Sequence, residues 1–451
     1  MRDVLFYTLY LAPFVILWLY RDKTSAYVFK LSCANVLMLS YVLYDHVGLV
    51  ALYNSQGGIK QLLSVNQNTV VLLALYSMVV VIAYVGTGVL LGGRVTQVRV
   101  PALEPLRQTR INWFPLVAVV VLLTPMALWK VLAQSPLLLL LAGDPAAALN
   151  ARVSEVTTNT HFLGIKPSYV NILWVLLSTV QIVAVVIAMA RRKARYWLFF
   201  LFVTVVYMLE SFSGAAKGVI IGPLYLLFFT YALLYSRGVL LNKTVVWAGA
   251  YVLLVVAVFT SWAAGMGFVS LWYPFERLFL GNLLPQYVVV DHFNLGNLLY
   301  GATTPTWFSL GQHKQFLLDV FAWREIMGVP EGAAFYTAPS SFVAEAHANF
   351  HAFGVVAASM SVFFVLRVVD YLIGTIRSEL IFAVVMIGSC LGFMKMAVSG
   401  AVSFTVDYYY WTFLLFTLVA YRISLKGKPS LPGLPPGEVA SAPATVRESA
   451  T

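Results

Sequence analysis

The chain has 451 residues, of which 61% are hydrophobic and only 10% are charged, and its mean hydropathy is +0.84. This composition excludes a soluble globular domain and is typical of a polytopic helical membrane protein. The formal net charge of +11 would indicate nucleic-acid binding in a soluble protein, but here we attribute much of it to loop topology and expect no nucleic-acid partner.

Long apolar segments predict an all-α transmembrane bundle of about 11–12 spans, because apolar runs of this length exceed a barrel strand. One integral membrane domain is therefore predicted for residues 1–425. The predicted spans are 4–20, 25–44, 69–92, 113–133, 168–190, 196–212, 218–235, 244–265, 349–372, 379–401 and 405–421.

Basic residues are concentrated in every second loop, which predicts that these loops are cytoplasmic. With eleven spans, the C-terminus is then inside and the N-terminus outside; one further span would move the N-terminus inside. The tail at 426–451 is rich in Pro, Ala and Ser and is predicted to be cytoplasmic and disordered. The basic clusters are Arg21/Lys23, Arg94/Arg99/Arg107/Arg110, RRKAR at 191–195, Arg237/Lys243, Arg377 and Arg422/Lys426/Lys428.

Two long loops on the opposite face, 134–167 and 266–348, are predicted to form short helices over the mouth of the bundle. Long structured loops on a membrane scaffold usually carry function. All the histidines fall on this outer side, so we expect chemistry or polar-ligand binding there. They are His46, His161, His292, His313, His347 and His351.

Four cationic side chains on the predicted outer side are candidates for binding phosphate: Arg152, Arg277, Arg324 and Lys217. A guanidinium binds phosphate oxygens bidentately, and several together can hold a diphosphate. Lys217 lies in ESFSGAAKG, where a broken helix would present backbone amides to an anion. The alternatives are arginines that pair with neighbouring acids and a lysine that snorkels to the surface.

The stretch FVAEAHANFHAFG at 342–354 brings Glu345, His347, Asn349 and His351 next to an apolar span. One of Glu345, His347 and His351 is the candidate general base for a sugar hydroxyl, and the others are candidates for hydrogen bonding to sugars or capping the helix. The two i,i+4 pairs point about 200° apart, so they share a pocket only if the helix is surrounded. The stretch lacks the HExxH glutamate, and no metal site is predicted.

Aromatic residues in TVDYYYWT at 405–412 begin the last predicted span. Tyr408 and Tyr409 either form an ordinary interfacial belt or stack against sugar rings. Asp45 and His46 end the second span, where Asp45 is either a base or a helix cap.

The chain resembles the O-antigen polymerase family, the Wzy-like oligosaccharide repeat-unit polymerases. The resemblance rests on five segments of the sequence. They are LLAGDPAAALNARVSE with Arg152, SFSGAAKGVIIGPLYLL, YPFERLFLGNLLPQYVVVDHF, the loop from Trp307 to Pro330, and SSFVAEAHANFHAFGVV. The last is similar to the family's acidic residue followed by an NFG-like entry to a late span. His351 stands where that motif usually has glycine.

The resemblance implies a GT-C-like bundle in the bacterial inner membrane with its active site facing the periplasm. It implies a cofactor-free, metal-independent glycosyltransferase with undecaprenyl-diphosphate-linked glycans as donor and acceptor, membrane lipid around it and a Wzz-like chain-length regulator as a partner. Arg152, Arg277, Arg324 and Lys217 would stabilise the leaving diphosphate. Asn349, Tyr408 and Tyr409 would contact the glycan.

Two other functions fit the same pattern. An O-antigen ligase would share the bundle and donor but transfer the glycan to lipid A core. A transporter or flippase for lipid-linked oligosaccharides would show polar residues at mid-span. Because the mid-span regions carry few charges, the sequence favours an enzyme.

Overall fold

In the computed structural model, the described part of the chain is almost entirely helical, and β-type pairing there is limited to an isolated bridge between Lys30 and Val239. The structure describes residues 1–20, 29–54, 64–91, 100–134 except 110, 167–213, 218–240, 279–301 and 340–397, with scattered positions at 139–147, 243–254, 303–326 and 417.

Most of the described helices follow the predicted spans. They are α1 (Arg2–Leu19), α2 (Cys33–Tyr41), which a π-helical turn (Val42–His46) continues, α3 (Leu49–Tyr53), α4 (Gln67–Leu90), α5 (Leu103–Gln108), α6 (Trp113–Gln134), α7 (Pro167–Arg191), α8 (Ala194–Ser213), α9 (Gly218–Tyr235), α10 (Gly281–His292), α11 (Phe342–Gly374) and α12 (Glu379–Met394), which a 3₁₀ turn (Lys395–Ala397) continues.

Four helical stretches in the described ranges are long and apolar enough to cross a membrane: Arg2–Leu19, Cys33–Tyr53, Gln67–Leu90 and Phe342–Gly374. Further apolar helices are shorter over their described residues: Trp113–Leu128, Val175–Arg191, Ala194–Leu209, Gly222–Tyr235 and Glu379–Met394. The predicted all-α class with membrane-spanning helices is confirmed. The GT-C-like arrangement, the full span number and the sidedness of the loops stay predictions.

Several predicted segments lie outside the described residues. These are the last span at 405–421 apart from Thr417, most of the span at 244–265, nearly all of the loop at 134–167, and the tail at 426–451. Within the second predicted loop, 266–348, the described residues include the helix α10, as expected for a structured loop.

The second span begins later than its hydropathy predicts, at Cys33, because two caps fix its start. The Ser32 hydroxyl accepts the N–H of Asn35 at 3.2 Å. The Asp370 carboxylate accepts the N–H groups of Cys33 and Ala34 at 2.7 and 3.2 Å. A carboxylate at a helix N-terminus satisfies donors that have no partner within the helix and complements the helix dipole.

The largest core cluster lies where α2, α4, α11 and α12 pack together, with α1 against α4. Cys33 and Cys390 are both buried, and neither forms a disulfide. A second cluster joins α6, α7 and α8. A third joins α10, the helical residues near 318–322 and the beginning of α11, and this third cluster surrounds the candidate site.

Candidate functional site

Helix α11 consists of two helical segments joined at a sharp kink. Phe350 (φ −141°, ψ 20°) and His351 (φ 54°, ψ −146°) are not helical. Gly354 lies so close to the first segment that an added Cβ would overlap the Ala346 carbonyl oxygen. The chain therefore turns back steeply between Asn349 and Gly354, and only glycine fits at the point of contact.

The first segment, Phe342–Asn349, which we call the half-helix, is buried on all sides. Three alanines, Ala344, Ala346 and Ala348, keep it thin enough for neighbouring segments to approach closely. Because the two i,i+4 pairs of polar residues point in different directions, they can share one site only if other segments surround the helix. Glu345, His347 and Asn349 meet that condition, since each is at most 1% exposed.

His347 is held by hydrogen bonds at both ring nitrogens. The Tyr76 hydroxyl lies 2.8 Å from Nδ1, and the Phe293 carbonyl oxygen lies 2.8 Å from Nε2. A carbonyl only accepts, so Nε2 carries the proton and Nδ1 accepts from Tyr76. In this arrangement His347 fixes the half-helix against α4, and a role as base requires one of these bonds to open.

Asn349 closes the C-terminal end of the half-helix. Its Oδ1 accepts the N–H of Gly301 at 2.9 Å, and its Nδ2 donates to the Thr303 hydroxyl at 2.5 Å and to the Glu345 carbonyl at 2.8 Å. The N–H of Leu299 donates to the Ala348 carbonyl at 2.9 Å. The predicted glycan contact of Asn349 thus competes with bonds that tie residues 299–303 over the half-helix.

His351 occupies the kink and is partly exposed, with its ring centroid 4.6 Å from that of His347. A positive φ is unusual for any residue other than glycine and is strained. The backbone conformation places an imidazole at the edge of the buried cluster.

Helix α10, together with Leu299, Gly301 and Thr303, covers the half-helix, and we call these segments the roof. Hydrogen bonds hold α10 in this position. The Tyr287 hydroxyl accepts the N–H of Asn66 at 2.7 Å, and the Asp291 carboxylate accepts from the Thr69 hydroxyl at 2.5 Å. Burial is the main reason that the pKa of Tyr287 is raised, so this phenol stays protonated. At the other side of α10, the Ser341 hydroxyl donates to the side-chain oxygen of Gln286 at 2.8 Å.

Asp45 lies in the π-helical turn, 1% exposed, and that turn packs against α10. Among the described residues, neither of its carboxylate oxygens has a hydrogen-bond partner. The structure therefore shows no cap formed by Asp45, and a role as a base stays a prediction. A carboxylate that is buried without hydrogen-bond partners lowers the stability of the fold. In addition, π-helical turns often occur at functional sites.

His46 points to a different neighbour. Its Nε2 lies 2.9 Å from the Tyr10 carbonyl oxygen, and its ring stacks on the Tyr10 ring at 4.8 Å. These contacts attach the π-helical turn to α1.

Of the four predicted cations, Arg324 lies in the described part of the chain. It is partly exposed and follows Ala322, which packs in one cluster with Ala344 and Ala348 of the half-helix. The structure therefore brings the Arg324 segment to the half-helix. The predicted residues Arg152, Arg277, Lys217, Tyr408 and Tyr409 lie outside the described residues.

Sequence reasoning missed two groups of polar residues. Tyr76 and Thr303 hold the half-helix, and the signal for Tyr76 is a polar hydroxyl in the apolar run of α4. The other group is Arg367 with Asp370, near the far end of α11. The Arg367 guanidinium is 1% exposed and lies over the Tyr84 ring at 4.7 Å, so this span contains a buried charge that the sequence analysis overlooked.

A comparison with protein-family models, curated proteins and solved structures finds no match to the chain.

Proposed function

We propose that the chain is a membrane glycosyltransferase that polymerises undecaprenyl-diphosphate-linked oligosaccharide repeat units on the periplasmic face of the bacterial inner membrane. One observation carries the proposal. An acid, a histidine and an asparagine lie on a fully enclosed half-helix in a membrane bundle, and a segment bearing an arginine packs on that half-helix.

The proposed reaction needs one base and several cations. An acceptor hydroxyl attacks the anomeric carbon of the donor, the bond from that carbon to the diphosphate oxygen breaks, and the base takes the hydroxyl proton. We assign the base to Glu345, with Asp45 as the alternative carboxylate in the same region. Arg324, together with Arg152, Arg277 and Lys217, would stabilise the charge on the departing lipid diphosphate.

The buried position supports this assignment because electrostatic interactions are stronger where water is excluded. The roof formed by α10 and residues 299–303 would have to move to admit the glycan. The bonds of Asn349 to Gly301 and Thr303 are the contacts that this movement would break.

A transporter for lipid-linked oligosaccharides is the second candidate, and the break in α11 favours it. Discontinuous helices and buried charges within spans are common in transporters. The kink at His351 and the buried Arg367 both fit that description. The enzyme remains our first proposal because Glu345 and His347 are both buried on the half-helix against which the segment carrying Arg324 packs.

Purified protein reconstituted with lipid-linked repeat units as the sole glycan tests the proposal. A polymerase produces a ladder of lengths, whereas a ligase or a transporter produces none. Adding lipid A core separates those two, because only the ligase joins the glycan to it. In a deletion strain, single units accumulate on the periplasmic face if the chain is a polymerase and on the cytoplasmic face if it is a flippase.

Glu345→Gln and Arg277→Ala are the informative variants, scored for ladder length at matched protein level. We expect near-complete loss of polymer for each. Asp45→Asn tests the alternative base in parallel. Normal ladders from Glu345→Gln combined with none from Asp45→Asn would transfer the role to Asp45, and normal ladders from both would reject a carboxylate base.

A further inference from the structure

A cleft of about 620 Å³ opens between α6, α7 and α8, far along the chain from the half-helix. Its walls combine two arginines with aromatic and aliphatic side chains. They are Ile111, Trp113, Val117, Arg191, Arg195, Tyr196 and Phe199.

The two arginines of the cleft converge on one neutral acceptor. Arg191 and Arg195 donate to the Tyr196 hydroxyl at 2.5 and 2.8 Å, and both guanidinium groups lie over the Tyr196 ring, at 5.1 and 4.8 Å. Arg191 also donates to the Thr109 carbonyl. Two like charges held this close repel each other, and an anion between them would relieve the repulsion.

No carboxylate in the described ranges of the chain forms an ion pair with either arginine, and the Glu104 carboxylate pairs instead with Arg107 at 3.6 Å. In addition, the Nε atom of Arg191 is buried and has no hydrogen-bond partner among the described residues. The two guanidinium groups therefore carry positive charge that no carboxylate among the described residues neutralises, and a phosphate group has the oxygens to neutralise it.

The rest of the cleft is apolar and continues onto faces that the described protein leaves uncovered. Trp113 stacks on Tyr196 with centroids 5.3 Å apart and meets Phe199 edge-on at 5.2 Å. Beyond them, α6 and α8 expose large apolar side chains. These are Phe114, Val117, Val121, Leu122 and Leu128 on α6, and Leu198, Leu201, Phe202 and Val205 on α8.

We propose that this cleft binds an anionic glycerophospholipid of the surrounding membrane. Its phosphate lies between Arg191 and Arg195, and its acyl chains run along the uncovered faces of α6 and α8. Free phosphate would use the arginines but not the aromatic and aliphatic walls. Basic pockets between transmembrane helices at the cytoplasmic side have the chemistry for such headgroups, and RRKAR at 191–195 is on that side in the predicted topology. The site is independent of the proposed glycosyltransferase activity.

Native mass spectrometry of the purified full chain with phosphatidylglycerol, and separately with phosphatidylcholine, tests the proposal. We expect the wild type to retain phosphatidylglycerol preferentially. Arg191→Gln/Arg195→Gln should weaken that binding about 10-fold or more, since each basic residue near a membrane surface contributes on the order of 1 kcal/mol. Arg195→Gln alone should weaken it about 3- to 5-fold and leaves the Arg191–Thr109 contact intact.

The matched control is Arg192→Gln/Lys193→Gln, which removes the same charge from the same loop but from residues that do not line the cleft. We expect this control to change binding less than about 2-fold. Equal losses in the two double variants, or equal retention of the two lipids, would overturn the proposal. Full displacement of phosphatidylglycerol by inorganic phosphate at similar concentration would also overturn it, because the site would then serve free phosphate.

Discussion

The two segments of α11 meet opposite environments within one helix. The half-helix, Phe342–Asn349, is enclosed on every side, and its His347 and Asn349 side chains bond to neutral partners on other segments. The segment after the kink buries one stripe, whereas Phe353, Leu372 and others are largely exposed. Its buried charge, Arg367, lies close to helix α2 rather than beneath a roof. A buried polar residue is therefore not by itself a sign of a site; the difference lies in what surrounds it.

The largest expected effect comes from a side chain added at the close contact beside the kink. Gly354→Ala would force a Cβ into the Ala346 carbonyl oxygen and to 2.9 Å from the Cβ of Phe350. Because backbone atoms cannot yield as a flexible side chain does, we expect destabilisation by more than about 3 kcal/mol. Thermal unfolding in detergent measures it. Gly374→Ala in the same helix, where an added Cβ meets nothing within 4 Å, should be nearly neutral.

Next in size is the cap that the second segment provides to α2. Asp370→Ala leaves the N–H groups of Cys33 and Ala34 without their acceptor, and we expect a loss of about 2–4 kcal/mol. Asp370→Asn keeps a side-chain oxygen and should cost roughly half as much. Denaturant titration in micelles compares the two. If both variants were as stable as the wild type, the cap would contribute nothing to the free energy of unfolding.

A smaller effect is expected at the polar contact that holds the half-helix. Tyr76→Phe removes the donor to Nδ1 of His347 and leaves a buried acceptor unsatisfied, which costs about 1–2 kcal/mol. Tyr371→Phe, at a largely exposed tyrosine of the second segment, is the control and should change stability by less than about 0.5 kcal/mol. Similar shifts in both variants would mean that the Tyr76–His347 bond is unimportant.

The smallest effect has the opposite sign. His351→Gly relieves a strained positive φ and should stabilise the protein by about 1 kcal/mol, while removing the imidazole. If His351 serves the reaction, ladder formation falls although stability rises. Unchanged ladders with raised stability would show that position 351 serves only the turn, and lowered stability would contradict the strain.

Hydropathy along the chain predicted most of the helices, because a membrane-spanning helix needs an apolar run of fixed length. Its boundaries failed where a cap on another helix decides the start, as Asp370 does for Cys33. It also placed the beginning of α11 at residue 349, since Glu345 and His347 read as polar. The sequence around His347 does not indicate its hydrogen-bond partners, because Tyr76 and Phe293 are distant along the chain. These partners allow His347 to be buried.

The sequence singled out the polar residues of the half-helix, whose role in a site stays a prediction, but it did not indicate what covers them. FVAEAHANFHAFG stands out because polar residues interrupt an apolar region. The pairing of Asn349 with Gly301 and Thr303 depends on how the chain folds back, which the sequence pattern does not encode. Arg367 escaped notice because a single charge within a span resembles a snorkelling residue.

The link from Asp370 to Cys33 joins positions 337 residues apart. During synthesis, the amino end of α2 enters the membrane long before its acceptor leaves the ribosome, so its first amides must be satisfied by water or by an assisting protein until then. Assembly of the early helices is thus completed only when the late ones arrive. A ribosome stalled before residue 370 should leave α2 accessible to modification from the aqueous phase.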